Sequence, residues 1–118
     1  MEKTTVLVKF PGQDLCYTQV PTDRIRDIHL SIAGLQSAEV EILSLYRGFY
    51  YILMDRDRLK KKLPDNMTAY LVDAVGNTAA VDVTGVFVIC KLPKGLMYPM
   101  ADMTPQDARE VLKLLKKG

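Results

Sequence analysis

Tryptophan is absent, histidine occurs once (His29) and cysteine twice (Cys16 and Cys90) in 118 residues. Two distant thiols and one imidazole do not supply the clustered ligands of a metal site. Cysteine this sparse reads as two reduced thiols in a cytosolic protein rather than a disulfide framework. Long apolar runs are also missing. Val86-Phe87-Val88-Ile89-Cys90 is among the longest, against the roughly 20 residues of a spanning helix, so no membrane partner is expected. Charge of one sign is not in excess: 16 Lys and Arg against 14 Asp and Glu leave +2. That is too little to steer the whole molecule onto nucleic acid or a membrane surface. No glycine-rich loop ending in GK[ST] and no GxGxxG after a strand occurs, so the usual phosphate and dinucleotide signatures are missing. No internal repeat, linker or low-complexity segment interrupts the chain. Met1-Glu2-Lys3-Thr4-Thr5 runs straight into a strand-like segment with no h-region, so no secretory signal is expected.

What is present is a globular composition, 48% hydrophobic and 25% charged, at a length that suits one domain over residues 1–118. Thr4 to Phe10 reads as a strand with Val6, Val8 and Phe10 on one side, ended by Pro11-Gly12. Thr22 or Asp23 offers a helix cap, Ile25, Ile28, Ile32 and Leu35 recur at helical spacing, and Gly34 is a stop. Val40–Tyr46 and Phe49–Met54 read as a hairpin reversed at Arg47-Gly48. Asp55 to Lys62 is a charged turn or loop, Thr68 to Val75 a further strand, and Ala80 to Leu92 another. That last strand is apolar on both sides after Gly85, which means either a central position with both faces covered or a protein interface. Thr104-Pro105-Gln106-Asp107 opens the last helix with a capping hydroxyl, a proline at the first helical position and an acid three residues on. Ala108, Val111, Leu112 and Leu115 are its buried stripe, and Lys116 and Lys117 suit its negative end. The order β-α-β-β-β-β-α predicts an α+β domain: one mostly antiparallel sheet of about five strands with two helices against it.

The catalytic inventory is thin. His29 has Asp27 and Ser31 two positions away on the expected helix, where side chains do not face each other, so no triad forms there. Asp73 and Asp82 are a carboxylate pair that two strands could bring together, but surface acids explain them equally well. The arginines are the better lead. Arg24 and Arg26 open the first helix and Arg109 lies in the first turns of the last. A cation there opposes the helix dipole by roughly 0.3–1 kcal/mol, unless a bound anion shares the site. Pairing with Asp23, Asp27, Asp107 and Glu110 is the other reading. Phe49, Tyr50, Tyr51 and Phe87 are available as stacking platforms, with a core role as the alternative. Arg56, Arg58, Lys60, Lys61 and Lys62 form a basic segment without the interleaved aromatics that base stacking uses, so no stable nucleic-acid partner is expected. Met97, Met100 and Met103 read as a cap on the core.

The helix ending near Gly34, the strand pair, Leu63-Pro64, Thr84-Gly85-Val86-Phe87-Val88 and the Met103-Thr104-Pro105 helix resemble a family of small phage-encoded proteins without assigned function. In size, layout and C-terminal basic helix the chain is also similar to the anti-Thoeris phage proteins that act as cyclic-nucleotide sponges. That resemblance implies a small homo-oligomer in the cytoplasm of an infected bacterium. It would sequester cyclic ADP-ribose isomers or cyclic oligonucleotides without cleaving them and without a cofactor. Arg24, Arg26, Arg109 and Phe87 are the ligand-binding residues expected from charge and stacking chemistry, converging between protomers, with the strand after Gly85 as the assembly face. Two alternatives stand beside it. One is a phage protein that inhibits a host defence effector by direct binding through the Arg56–Lys62 segment. The other is a small nucleotide hydrolase.

Overall fold

A computed structural model describes residues 3–47 and 49–117. Its elements are β1 (Thr4–Lys9), β2 (Cys16–Val20), a 3-10 helix (Ile25–Ser31), β3 (Val40–Tyr46), β4 (Tyr50–Asp55), β5 (Asp65–Val72), β6 (Thr78–Thr84), β7 (Phe87–Lys91), α1 (Pro105–Leu112) and β8 (Leu115–Lys117). The strands form one mixed sheet in the order β2-β1-β7-β4-β3-β5-β6, with β8 paired to β5 beside that path. All pairings are antiparallel except a single parallel contact, Tyr46 to Val72, between β3 and β5. The α+β class is as expected, but about five strands falls short. The segment Cys16–Val20 is only five residues long, with no apolar–polar alternation, and escapes a periodicity reading. The expected strand 80–92 is two strands, split at Gly85.

Gly85 has φ +77°, and a Cβ there would lie 2.6 Å from Leu63 Cδ1. Its N–H donates to Pro64 O at 2.7 Å. The break redirects the chain from β6, at one end of the sheet, to β7, four strand positions away. In a flat sheet that step is about 19 Å, while the three residue steps from Thr84 to Phe87 reach at most about 11 Å. The sheet must therefore coil on itself. The Asn66 side chain bridges the closure, donating to Lys9 O and to Gly85 O and accepting from Lys9 Nζ.

Coiling gives two cores. Inside it, Leu7, Ile52, Met54, Phe87 and Ile89 meet Ala69 and Val83 of the β5–β6 hairpin and Val111 of α1. Outside it, Val6, Val8, Leu53, Val88 and Cys90 are covered by Ile25, Ile28, Ile32 and Leu35. β7 thus lies between β1 and β4 with both faces buried. Its two-sided apolar pattern marks a central strand, and it is not an assembly face.

The first expected helix has the right buried stripe but a tighter winding. Ile25–Ser31 is 3-10, and its N-cap Arg24 makes no side-chain cap. Two Ile, with Asp, His and Ser, form a segment of poor helix propensity, and Ile25 and Ile28 at i,i+3 align on a 3-10 turn. Gly48 of the expected Arg47-Gly48 reversal lies outside the described residues, as do Met1 and Glu2; β3 and β4 do pair as a hairpin. Lys116 and Lys117 lie in β8, beyond the helix whose dipole they were expected to complement. Met100 and Met103 are buried, while Met97 is 77% exposed and caps nothing.

Candidate functional site

The end of α1 is built as the sequence predicts. Thr104 Oγ1 accepts from Asp107 N at 3.1 Å, and Asp107 Oδ2 accepts from Thr104 N at 2.8 Å, a reciprocal capping box. The same carboxylate does more. Its Oδ1 accepts from Tyr50 Oη at 2.5 Å and its Oδ2 from Lys91 Nζ at 2.8 Å. Burial by itself raises the carboxyl's pKa; hydrogen bonds from Lys91, Tyr50 and Thr104 outweigh it and hold Asp107 well below the usual range. Burial, and then the bond to Asp107, pushes the Tyr50 phenol up. The anion that suits this helix start is therefore Asp107 itself, and no vacancy for a phosphate remains at the cap.

Within one chain, two of the three expected arginines share a groove and the third lies apart. Arg24 and Arg26 line a groove of about 350 Å³ with Ile25, Leu96 and Met97. Arg24 is engaged by its surroundings: Nη1 donates to Met97 O at 3.4 Å and Nε lies 3.6 Å from Asp23 Oδ1. Arg109 is exposed on α1 and does not line that groove. Because α1 has only eight residues, Arg109 falls in its last turn, where a cation is favourable. Phe87 is 0% exposed in the inner core and offers no stacking face. A strand apolar on both sides buries its largest ring first, so the expectation for Phe87 is corrected.

The other candidates have structural partners. Asp73 accepts from Val75 N and Asn77 N and holds the β5–β6 turn, with its pKa lowered chiefly by Asn77. Asp82 accepts from Thr68 Oγ1 at 2.8 Å. In the basic segment, Arg56 pairs with Glu39, Arg58 with Glu41 and Lys61 with Asp55, at 3.2, 2.8 and 2.7 Å. Both cysteines are free, Cys16 exposed and Cys90 buried. Among the described residues no helix is long and apolar enough to cross a membrane.

A second groove, about 370 Å³, is lined by Tyr46, Phe49, Tyr50, Glu110, Lys113 and Leu114. It lies between the β3–β4 end and α1. Phe49 stacks on Tyr50, centroids 5.0 Å apart and planes within 13°. The Arg47 guanidinium sits over the Tyr46 ring at 5.4 Å, and Lys91 Nζ is 6.0 Å from the Phe49 centroid. Tyr46 and Phe49 remain 37% and 36% exposed. Arg47 holds φ 51° and donates its N–H to Val72 O at 2.7 Å, which fixes it at the seam between β3 and β5. Lys113 Nζ reaches Glu110 Oε1 at 3.4 Å, an exposed pair of the weak kind. Of these residues, sequence reasoning singled out Phe49 and Tyr50 as stacking platforms. It passed over Tyr46, Arg47 and Lys113. The available signal was a pair of rings bracketing an arginine at a turn.

Compared with known proteins, the chain matches no family model, no curated protein and no solved structure.

Proposed function

We propose that this protein is a non-catalytic sponge that sequesters a purine-bearing, phosphate-bearing ligand of the cyclic-nucleotide kind, and that the groove between the β3–β4 end and α1 receives it. The observation that carries this reading is the pairing of two part-exposed rings of the groove with nearby cations: Arg47 over Tyr46, and Phe49 backed by Tyr50 with Lys91 Nζ 6.0 Å from its centroid. A flat base stacks on the Arg47–Tyr46 layer or on the outer face of Phe49. Its phosphates meet Arg47 and Lys113, and Glu110 is the acceptor in reach of an exocyclic amine. Sequestration needs no proton transfer, and the strongest perturbed acid nearby, Asp107, is fully engaged in holding α1. The test is calorimetric titration with cyclic ADP-ribose isomers and cyclic oligonucleotides, followed by heat denaturation and chromatography. Binding with intact recovery is expected. Tyr46→Ala should weaken it by the about 1–3 kcal/mol of one base stack, roughly tenfold or more, with unchanged far-UV circular dichroism at the temperature of the titration. No heat with any of these ligands refutes the reading, and an altered product makes the protein an enzyme.

A second reading, inhibition of a host defence effector by direct binding, is favoured by one observation. Leu96, Met97 and Tyr98 are consecutive and exposed beside Arg24 and Arg26. In an infected-cell assay, loss of activity in Met97→Asp but not in Tyr46→Ala would put this reading in place of the first.

A further inference from the structure

The coiled sheet leaves β2 as an outer edge, and among the described strands β2 (Cys-Tyr-Thr-Gln-Val) is the one without a charged residue. Edge strands are where folds place lysines, prolines, bulges or inward charges to prevent pairing. Within its five residues β2 has none of these, Pro21 coming directly after it, and its register with β1 runs unbroken from Thr4–Val20 to Val8–Cys16. The opposite edge, β6, does carry such a guard, the exposed Asp82 in its run.

The direction of its free groups follows from β1. Thr5 N donates to Asp102 Oδ1 and Thr5 O accepts from Met103 N, so both point away from β2. Main-chain groups alternate along a strand. Val6 and Val8, opposite Thr18 and Cys16, therefore face β2, and the outward-facing groups of β2 are the N–H and C=O of Tyr17 and Gln19. Among the described residues nothing pairs with them.

We propose that β2 pairs with β2 of a second copy, antiparallel across a two-fold axis at Thr18, and so joins two sheets edge to edge. This goes beyond ligand binding and does not depend on it. In that register Tyr17 of each copy faces Gln19 of the other as a hydrogen-bonded pair, and four main-chain bonds close across the axis. The two Thr18 residues form the intervening pair with no inter-strand bond, the closer of the two kinds, with Cα atoms about 4.5 Å apart. The match is self-complementary because no charge on either strand meets its like. A second copy therefore suits this edge better than a charged partner would. Tyr17, 51% exposed, gains a cross-strand neighbour in Gln19.

The test is sedimentation of the purified chain from micromolar to millimolar concentration, with amide exchange read on the same samples. A mass rising to twice 13.3 kDa is expected, and the Tyr17 and Gln19 amides should slow in step with it while the β6 amides do not. Gln19→Pro removes an outward donor without touching the ladder to β1, and Thr18→Lys sets two cations face to face. Each should return the mass to one chain with unchanged far-UV circular dichroism, and Ala80→Lys on β6 should leave the dimer intact. In a Cys16→Ser background, Thr18→Cys should form a disulfide-linked dimer on oxidation, since that separation suits the bond. The proposal is overturned if the wild-type chain stays at one mass throughout, if the dimer survives both β2 variants, or if Ala80→Lys dissociates it.

Discussion

Replacing Asp107 with alanine tests how α1 is held. One carboxylate serves three purposes. It completes the capping box with Thr104, accepts from the buried Tyr50 hydroxyl, and pairs with Lys91, whose side chain is 17% exposed. Loss of the cap costs about 1 kcal/mol. A buried phenol left without its acceptor costs about 1–3 kcal/mol. The Lys91 pair lies between the about 0–1 kcal/mol of exposed pairs and the 3–5 kcal/mol of broken buried ones. These contributions share one side chain and do not add fully, so Asp107→Ala should lose about 3–5 kcal/mol, a third or more of a typical domain's stability. Asp107→Asn keeps an acceptor for Tyr50 and should lose less. The assay is urea unfolding followed by far-UV circular dichroism at neutral pH. The pH dependence gives an independent check. The Asp107 carboxyl titrates lower in the folded than in the unfolded chain, so its contribution is complete above the unfolded value of about 3.9 and is lost as pH falls toward the folded one. The gap between wild type and Asp107→Asn should therefore narrow from about pH 5 to about pH 2. A midpoint change no larger than the about 0.5 kcal/mol of a surface substitution refutes the reasoning.

Two further outcomes follow from the packing. Gly85→Ala meets both a positive φ and Leu63 Cδ1 at 2.6 Å, so it should destabilise by about 1–3 kcal/mol; adding Leu63→Ala relieves the contact but not the φ strain, and a full rescue in urea melts would show that the turn itself is not strained. With a thiol reagent such as Ellman's, the native protein should show one fast thiol, Cys16. Cys90 should react only on unfolding, because burial both hides it and pushes its pKa up; two equally fast thiols would contradict its place in the core.

Much of the local architecture was legible, and the reasons are local. β3 and the α1 cap carry strong short-range signals: a run of β-branched and apolar residues from Val40 to Tyr46 ended at Arg47-Gly48, and Thr104-Pro105 with an acid at Asp107. Gly85 was visible as an interruption, but its consequence was not. That two residues must carry the chain from β6 into the centre of the sheet depends on the strand order, which no window of sequence contains. The same long-range fact decided Phe87, whose ring turns inward because β7 is central; Arg109 was decided by where α1 ends, since eight residues leave it in the last turn. β2 was missed because a five-residue edge strand without alternation is held by its ladder to β1 rather than by its own pattern. The groove at Tyr46 and Phe49 was missed for a related reason. Its second wall, Glu110 to Leu114, is more than fifty residues away in the chain and is brought there by the Tyr50–Asp107 bond.

That bond also bears on what the groove can do. α1 is anchored at both ends, at its start by Asp107 to Tyr50 of β4 and Lys91 of β7, and just past its end by β8, which pairs Leu115 with Ala69 of β5. β5 thus shares one of its edges between β8, at Met67–Ala69, and β3, which touches it at Tyr46–Val72. The seam between β3 and β5 is pinned at Tyr46, and α1 spans it. With both walls tied to the sheet, the spacing between the rings and Lys113 is set before any ligand arrives. Ordering cost on binding then falls on the long side chains of Arg47 and Lys113 rather than on the backbone. A change that frees one anchor, such as Asp107→Ala, should consequently weaken a ligand in this groove even though Asp107 does not line it, whereas a ligand seated by Arg24 and Arg26 on the other side of the sheet would be indifferent to it.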